Sequence, residues 1–151
     1  MSEIIYRIID EDDYEALQEL WLSQEQTRRA LNPIDDSKEG ISRYLQRNPL
    51  SCFGAFDGAE LIGAILAGHD GRRGIIHHLC VREEYKRQKI ASTLVNKAEE
   101  SLRNEGIQKI FCVVFTDNEQ ANAFWQSRGY SRRNNINYRN KSLNEKIPTG
   151  E

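Results

Sequence analysis

The chain has no apolar run near the roughly 20 residues that a membrane-spanning helix needs. Its opening, Met-Ser-Glu-Ile-Ile-Tyr-Arg, has no apolar core of a secretory signal, so a cytoplasmic location rather than export is expected. Cysteine is scarce. Cys52, Cys80 and Cys112 are odd in number, each lies in an apolar run, and none falls in a Cys-x-x-Cys or Cys/His ligand spacing. That pattern speaks against a zinc or other metal site and for buried free thiols in a reducing compartment. No histidine and acid are placed beside a cysteine to make it a nucleophile. An excess of one charge is also missing. Lys and Arg number 21, Asp and Glu 23, for a net charge of −2, so no overall basic field recruits nucleic acid. Neither G-x-x-x-x-G-K-S/T nor G-x-G-x-x-G occurs, which leaves a nucleotide-binding module without its motif. No repeat, low-complexity stretch or linker interrupts the 151 residues, a length that suits one domain with its own core.

What is present is concentrated between Val81 and Leu94. An apolar run, Ile75 to Val81, feeds a turn carrying Arg82, Lys86, Arg87 and Lys89, and the turn opens into an amphipathic helix. Amides at a helix start have no internal partners, and the helix dipole adds partial positive charge there. A strand, a basic turn and a helix N-terminus together make a seat for phosphate or pyrophosphate. A solvated basic connection in an ordinary α/β unit is the alternative reading of the same residues.

Periodicity and turn residues predict the remaining elements. Ile4 to Ile9 reads as a strand, and Asp10 to Asp13 caps a helix with Tyr14, Leu17, Leu20 and Trp21 on one face, broken by Asn32-Pro33. Asp35, Asp36 and Ser37 open a second helix with Ile41, Tyr44 and Leu45, ended by Asn48-Pro49. Strands follow at Ser51–Phe56 and Glu60–Ala67, joined across Asp57-Gly58, and then at Ile75–Val81. Ile90 to Glu105 is an amphipathic helix stopped by Gly106. Ile110 to Phe115 is nearly all apolar, so both of its faces are expected to be covered. Asp117 or Asn118 caps a helix from Glu119 to Arg128, ended by Gly129. Tyr130–Arg133 and Ile136–Leu143 are expected as a closing pair of strands. The fold class is therefore α/β: one mixed, mostly antiparallel sheet with helices on both faces, containing a right-handed βαβ crossover. Residues 1–143 form the single domain, and 144–151 form a polar tail expected to fray.

Two segments in this order resemble the GCN5-related N-acetyltransferase (GNAT) superfamily, in its bacterial single-domain form. Lys86-Arg87-Gln88-Lys89-Ile90-Ala91, preceded by Leu79-Cys80-Val81, falls on the family's coenzyme A pyrophosphate loop, Arg/Gln-x-x-Gly-x-Gly/Ala. Asn118, Ala121, Phe124, Trp125, Gly129 and Tyr130 fall on its Asn-x-x-Ala-x-x-Phe-Tyr-x-x-x-Gly-Phe motif. Asp70-Gly71-Arg72-Arg73-Gly74 is also similar to bacterial members.

The resemblance implies an N-acetyltransferase that moves an acetyl group from acetyl-CoA to a primary amine, without a metal. Pantetheine would pair like an added strand along Leu79, Cys80 and Val81. The pyrophosphate would rest on the amides from Arg87 through Gln88, Lys89, Ile90 and Ala91 to Ser92. Asn118, Asn122, Phe124 and Trp125 would line the opposite wall of a cleft opened where the fourth and fifth strands splay apart. A strand amide of Leu79 or Cys80 would stabilise the thioester oxygen.

Some positions depart from the family pattern. Lys89 stands where Gly is usual, which Lys tolerates only if its Cβ points away from the ligand. Lys86 replaces Arg or Gln and loses the planar fork. Trp125 stands where many members carry an acidic Tyr. Indole N–H is no usable acid, so Trp125 reads as a packing residue, and Tyr130, Tyr138 or water is left for the acid role. Val113 occupies the position where other members carry a basic Glu.

His77 is the first candidate for the base and His78 the second, on opposite faces if the strand alternates strictly. A hydrogen-bonded structural histidine is the other reading of either. His69, beside Asp70, reads as loop polarity. The acceptor is an amine on a small molecule or a protein, selected by the region from Trp21 to Pro49. There Glu25, Asp35 and Asp36 either attract a cation or cap helices. Members of the superfamily are monomers or homodimers. A non-catalytic acyl-CoA-binding or regulatory domain of the same fold is the alternative function, motivated by Lys89 and Trp125.

Overall fold

In the computed structural model, which describes residues 3–150, the chain runs β1 (Ile4–Ile8), α1 (Tyr14–Leu22), α2 (Glu25–Ala30), α3 (Lys38–Arg47), β2 (Phe53–Asp57), β3 (Glu60–His69), β4 (Gly74–Val81), α4 (Ile90–Asn104), β5 (Ile110–Cys112) and α5 (Glu119–Ser127). Met1, Ser2 and Glu151, at the ends of the expected 1–143 domain and 144–151 tail, lie outside the described residues. Side-chain caps mark three of the helical starts. Asp10 and Asp13 close a capping box just ahead of α1. Ser37 Oγ accepts the Gly40 N–H at 3.1 Å to open α3. Asn118 Oδ1 accepts the Ala121 N–H at 3.1 Å to open α5. Each gives a partner to an amide that a helix start leaves without one. The expected first helix is split, because the Ser23 hydroxyl takes the Leu20 carbonyl at 2.6 Å and ends α1. Among the described residues, no helix is long and apolar enough to cross a membrane.

The sheet order is β1-β2-β3-β4-β5. Its pairs are antiparallel except β4 with β5, which run parallel. This is the mixed, mostly antiparallel sheet expected. α1, α2 and α3 cover one face, burying Leu17, Leu20, Trp21, Ile41 and Leu45. α4 and α5 cover the other, burying Ile90, Leu94, Val95, Ala98, Leu102 and Trp125. Each such side chain contributes about 1.5–3 kcal/mol on leaving water. β3 lies at the centre and is buried from Leu61 to Gly68. A Cβ on Gly63 would meet Ile90 Cγ2 at 3.2 Å and Leu94 Cδ1 at 3.4 Å. Glycine there lets the start of α4 press onto β3, which fixes the height of the turn before it.

Two expectations about the far edge of the sheet are overturned. β5 pairs only over Ile110–Cys112, and Phe111, Val113 and Phe115 are exposed by 47%, 63% and 39%. The helices on the α1–α3 face extend over the inner strands and stop short of β5. The closing strands at Tyr130–Arg133 and Ile136–Leu143 do not form, and that segment is irregular and almost wholly exposed. Its Arg-Arg-Asn-Asn run has little strand propensity, and a three-residue β5 offers little ladder to extend.

One buried polar side chain under the sheet, Asn48, is tied down on both sides. Asn48, the C-cap of α3, accepts the His69 N–H at 3.0 Å and donates to the Tyr44 carbonyl at 3.3 Å. It packs against Gly68, where an added Cβ would lie 2.5 Å from the Asn48 amide and 2.7 Å from Tyr44 Oη. Gly68→Ala is therefore expected to destabilise the protein by about 1–3 kcal/mol, read as a lower urea midpoint with an unchanged m-value.

Candidate active site

Three parallel rungs join β4 to β5, Gly74–Ile110, Ile75–Phe111 and Ile76–Cys112. β4 continues to Val81, while the chain beyond Cys112 leaves the ladder. A gap therefore opens past the Ile76–Cys112 rung, where the two strands were expected to part.

β4 also carries a bulge. His77 pairs with Leu66 and Cys80 with Ala64, so His78 and Leu79 together face Ile65. His78 has φ +50°, a conformation that costs a non-glycine residue about 1–2 kcal/mol. The added residue reverses the alternation beyond it. Ile76, Leu79 and Val81 pack toward α4, whereas Cys80 packs toward α1–α3. Strict alternation placed the two histidines on opposite faces, and the bulge corrects this. His77 meets the Tyr44 ring at 5.6 Å, His78 meets Trp21 at 5.0 Å, and the imidazoles are 6.1 Å apart on the α1–α3 face.

His77 is an exposed residue, with the inner part of its ring packed against Tyr44 and His78. That burial, and His78 beside it, lower its pKa from the ordinary 6.5, with Asp36 pulling the other way. His77 is thus a neutral imidazole at pH 7, with a lone pair to offer. His78 Nε2 lies 2.8 Å from Asp36 Oδ1, and the two side chains are 12% and 13% exposed. His69 Nδ1 accepts the Gly71 N–H at 2.9 Å, which leaves Nε2–H to meet Glu105 at 3.1 Å. It organises its loop.

A cleft of about 880 Å³ opens beside Leu79, Cys80 and Val81, toward the large end of ligand pockets, about 300–1,000 Å³. Lys86, Arg87, Lys89, Ile90, Ala91 and Ser92 form one wall, and Asn118, Phe124 and Trp125 form another. Gln88 and Asn122, expected in it, do not line it, and neither do the side chains of His77 and His78, which lie just beyond its Leu79 end on β4. Gln88 sits exposed between two left-handed residues. Asn122 Nδ2 turns back to the carbonyls of Phe115 and Asn118, at 2.9 Å each, and braces the turn that carries Asn118. Sequence reading missed Tyr85 and the α2 residues Gln24, Glu25, Gln26 and Thr27 that border the cleft. Only Glu25 had stood out there, and only as a charge. Burial pushes the Cys80 thiol up, against a hydrogen bond from Thr27 and the charges of Lys86 and Arg82. Cys80 is therefore a packed thiol rather than a nucleophile.

The turn before α4 is shaped for an anion. Arg87 and Lys89 both have positive φ, +72° and +62°, and α4 begins at Ile90 with no side-chain cap. Left-handed residues ahead of a helix turn successive amides toward one point, where the dipole adds its charge. Two nearby acids are paired with cations: Lys86 binds Glu83 at 3.1 Å, and Arg29 binds Asp117 at 2.7 Å. Exposed Arg87 and Lys89 remain to attract an anion.

Residues 7–130 match the Acetyltransferase (GNAT) family. The chain belongs to the GNAT acetyltransferase family. An acetyltransferase of Pectobacterium atrosepticum is 30% identical over 124 residues, 82% of this chain and 85% of that one. The PaiA N-acetyltransferase of Thermoplasma acidophilum, solved with coenzyme A, superposes with a TM-score of 0.72. It is 23% identical and covers 83% of this chain and 88% of its own. AAC(6')-Iy, solved with the bisubstrate analog CoA-S-monomethyl-acetylneamine, gives a TM-score of 0.71 at 19% identity, covering 93% and 100%. These two share the fold.

Against the GNAT pattern, Trp125 is buried, edge-on to Phe124 at 5.2 Å and Tyr130 at 4.7 Å. It packs the helix and borders the cleft. Tyr130 Oη donates to Glu99 at 2.7 Å, and burial with that contact holds its pKa up. Tyr138 is 74% exposed in the segment past α5. Tyr85, which does line the cleft, gives its hydroxyl to Asp57 and is pushed up to about 12.

Lys89 adopts the left-handed conformation that glycine takes freely. The Lys89 carbonyl is held by Thr93, through the amide at 3.0 Å and the hydroxyl at 2.9 Å. Relief of the Cβ strain outweighs the added freedom of the unfolded chain. Lys89→Gly is therefore expected to stabilise the protein by about 0.5–1 kcal/mol, seen as a higher midpoint in chemical denaturation.

Proposed function

We propose that this chain transfers the acetyl group of acetyl-CoA to a primary amine by direct attack on the thioester. The observation that carries this reading is the alignment of three features along one strand. The uncapped α4 start with its left-handed turn lies below Val81. The opened edge of β4 from Leu79 to Val81 borders the cleft. His77 stands at the first position past the last β4–β5 rung.

The residues divide the work. Amides from Arg87 to Ser92, with the charge of Arg87 and Lys89, hold the pyrophosphate. The free edge of β4 pairs with the amides of the pantetheine arm. An amide of Leu79 or Cys80 meets the negative charge that develops on the thioester oxygen. The acceptor's nitrogen attacks the carbonyl carbon, forming the C–N bond as the C–S bond breaks. Its proton passes to neutral His77, and the departing thiolate takes its proton from water. Tyr130 is committed to Glu99, and a thiolate leaves readily enough to need no stronger acid.

The complex of AAC(6')-Iy with a bisubstrate analog supports an amine as the acceptor class, on a small molecule or a protein. A non-catalytic acyl-CoA-binding domain is the second reading, supported by the same commitment of Tyr130 and Tyr85 to carboxylates.

Acetyl-CoA is expected to raise the melting temperature and ATP to leave it unchanged, since only a ligand of the folded state stabilises it. Thiol release with a panel of amines then distinguishes catalyst from binder, and product mass identifies the acceptor. His77→Ala is expected to lower kcat by about 10²-fold or more and to leave the acetyl-CoA Kd within about twofold. Because the pKa of His77 is lowered, its base form persists on acidification, so the acid limb of kcat/KM is expected below pH 6.5. A large loss of acetyl-CoA binding in His77→Ala would instead mark the residue as structural.

A further inference from the structure

The bulge that re-aims β4 rests on a contact that the proposed chemistry leaves unused. His78 is the positive-φ residue of the bulge, and nothing in its own strand favours that conformation. Its imidazole is gripped from outside the sheet. Trp21, fully buried, packs against one side with ring centroids 5.0 Å apart. On the other, Nε2 lies 2.8 Å from Asp36 Oδ1.

Asp36 is itself held from two further directions. Its Oδ2 accepts the Asn32 N–H at 2.7 Å, and its carbonyl accepts the Tyr14 hydroxyl at 2.7 Å. The carboxylate is thus a fixed post in the loop between α2 and α3, built by contacts to that loop and to α1. A carboxylate oxygen accepts, so the tautomer that fits this contact carries its hydrogen on Nε2, and the ring then donates in one set orientation.

We infer that the Asp36–His78 pair is a positioning device: it holds the β4 bulge so that the Leu79–Cys80 backbone borders the cleft in one set register, and it ties this strand to the loop before α3. The inference rests on the proposed acetyl transfer. Neither side chain lines the cleft, so the pair acts through the backbone and does not touch the acyl group. Without the contact, β4 is free to slip toward regular pairing with β3. A one-residue slip would move Leu79 and Cys80 each to the face opposite its present one and misdirect the oxyanion-binding amide. Displacements below 1 Å at such a site are enough to slow chemistry while binding persists.

The test pairs kinetics with NMR on the full chain. Asp36→Ala is expected to lower kcat at least tenfold with the acetyl-CoA Kd within twofold. Backbone amide shifts should change at His77 to Cys80, and the Nε2–H signal of His78 should be lost. Asp36→Asn keeps a carbonyl oxygen to accept that N–H, and is expected to stay within about threefold of wild type. If Asp36→Ala does not fold, His78→Asn takes its place: asparagine tolerates positive φ but stops short of Asp36, and the same kcat loss is expected. Unmoved Leu79 and Cys80 amides in a folded Asp36→Ala, or an unchanged kcat, would overturn the inference. So would an equal loss of activity in Asp36→Asn. If wild type binds acetyl-CoA yet acetylates no amine, the transfer reading fails, and the amide shifts still decide whether the pair holds the bulge.

Discussion

The parallel ladder between β4 and β5 stops after three rungs, and the organisation of the site follows from that stop. A strand inside a sheet satisfies its amides and carbonyls on both edges, and buried groups left unpaired are costly. Past Ile76, β4 keeps β3 as a neighbour on one edge and loses β5 on the other. Its open edge is a place where an amide-bearing ligand restores the missing bonds. The gap is sustainable because the core does not depend on β5. β3 is buried along most of its length, and the two apolar clusters lie over β1–β4 and α4. The exposure of Phe111, Val113 and Phe115 is the other side of the same arrangement.

The bulge at His78 adds a second constraint, since one extra residue re-aims every side chain beyond it. Leu79 and Val81 turn to the α4 side, and both imidazoles come to the α1–α3 side. The cleft-lining side chains and the two imidazoles are thereby placed on different faces of one strand, with the backbone between them. His78, Arg87 and Lys89 are the non-glycine residues with positive φ among the described residues, and all three lie along this segment. Unfavourable backbone conformations concentrated at a site need surroundings that over-determine them. Here the Asp36 contact, the Thr93 bonds to Lys89 and the close packing of Gly63 against α4 supply that support.

Charge acts locally in this molecule. A net charge of −2 gives no long-range pull on an anion, yet the turn before α4 keeps its cations usable. Two of the nearby acids are taken up in pairs, Glu83 with Lys86 and Asp117 with Arg29. Backbone dipoles do the rest, and they act only within the first turn of the helix. Burial works in the opposite direction at His77, lowering its pKa and favouring the neutral ring.

Much of this was legible in the order of residues, because the forces involved are local. Helix stripes, the Ser37 and Asn118 caps, the hairpin after Asp57 and the anion seat each depend on neighbours within a few positions. The two GNAT-like segments were readable for the same reason. Other features depend on residues far apart in the chain. Strict alternation separated His77 from His78 because no local signal marks a bulge. The bulge exists through Ile65 on β3, Trp21 on α1 and Asp36 in the loop before α3. The apolar run from Ile110 to Phe115 looked like a covered strand, but coverage is decided by how far the opposing helices reach. The segment from Tyr130 to Leu143 shows a strand-like pattern in places, yet it finds no ladder to join. By itself the sequence determined most of the elements, the Ser37 and Asn118 caps and the basic turn ahead of a helix that reads as an anion seat. Tertiary structure alone decided where the strands part, which face each imidazole takes and which hydroxyls are free, because each of those depends on a partner that only folding brings near.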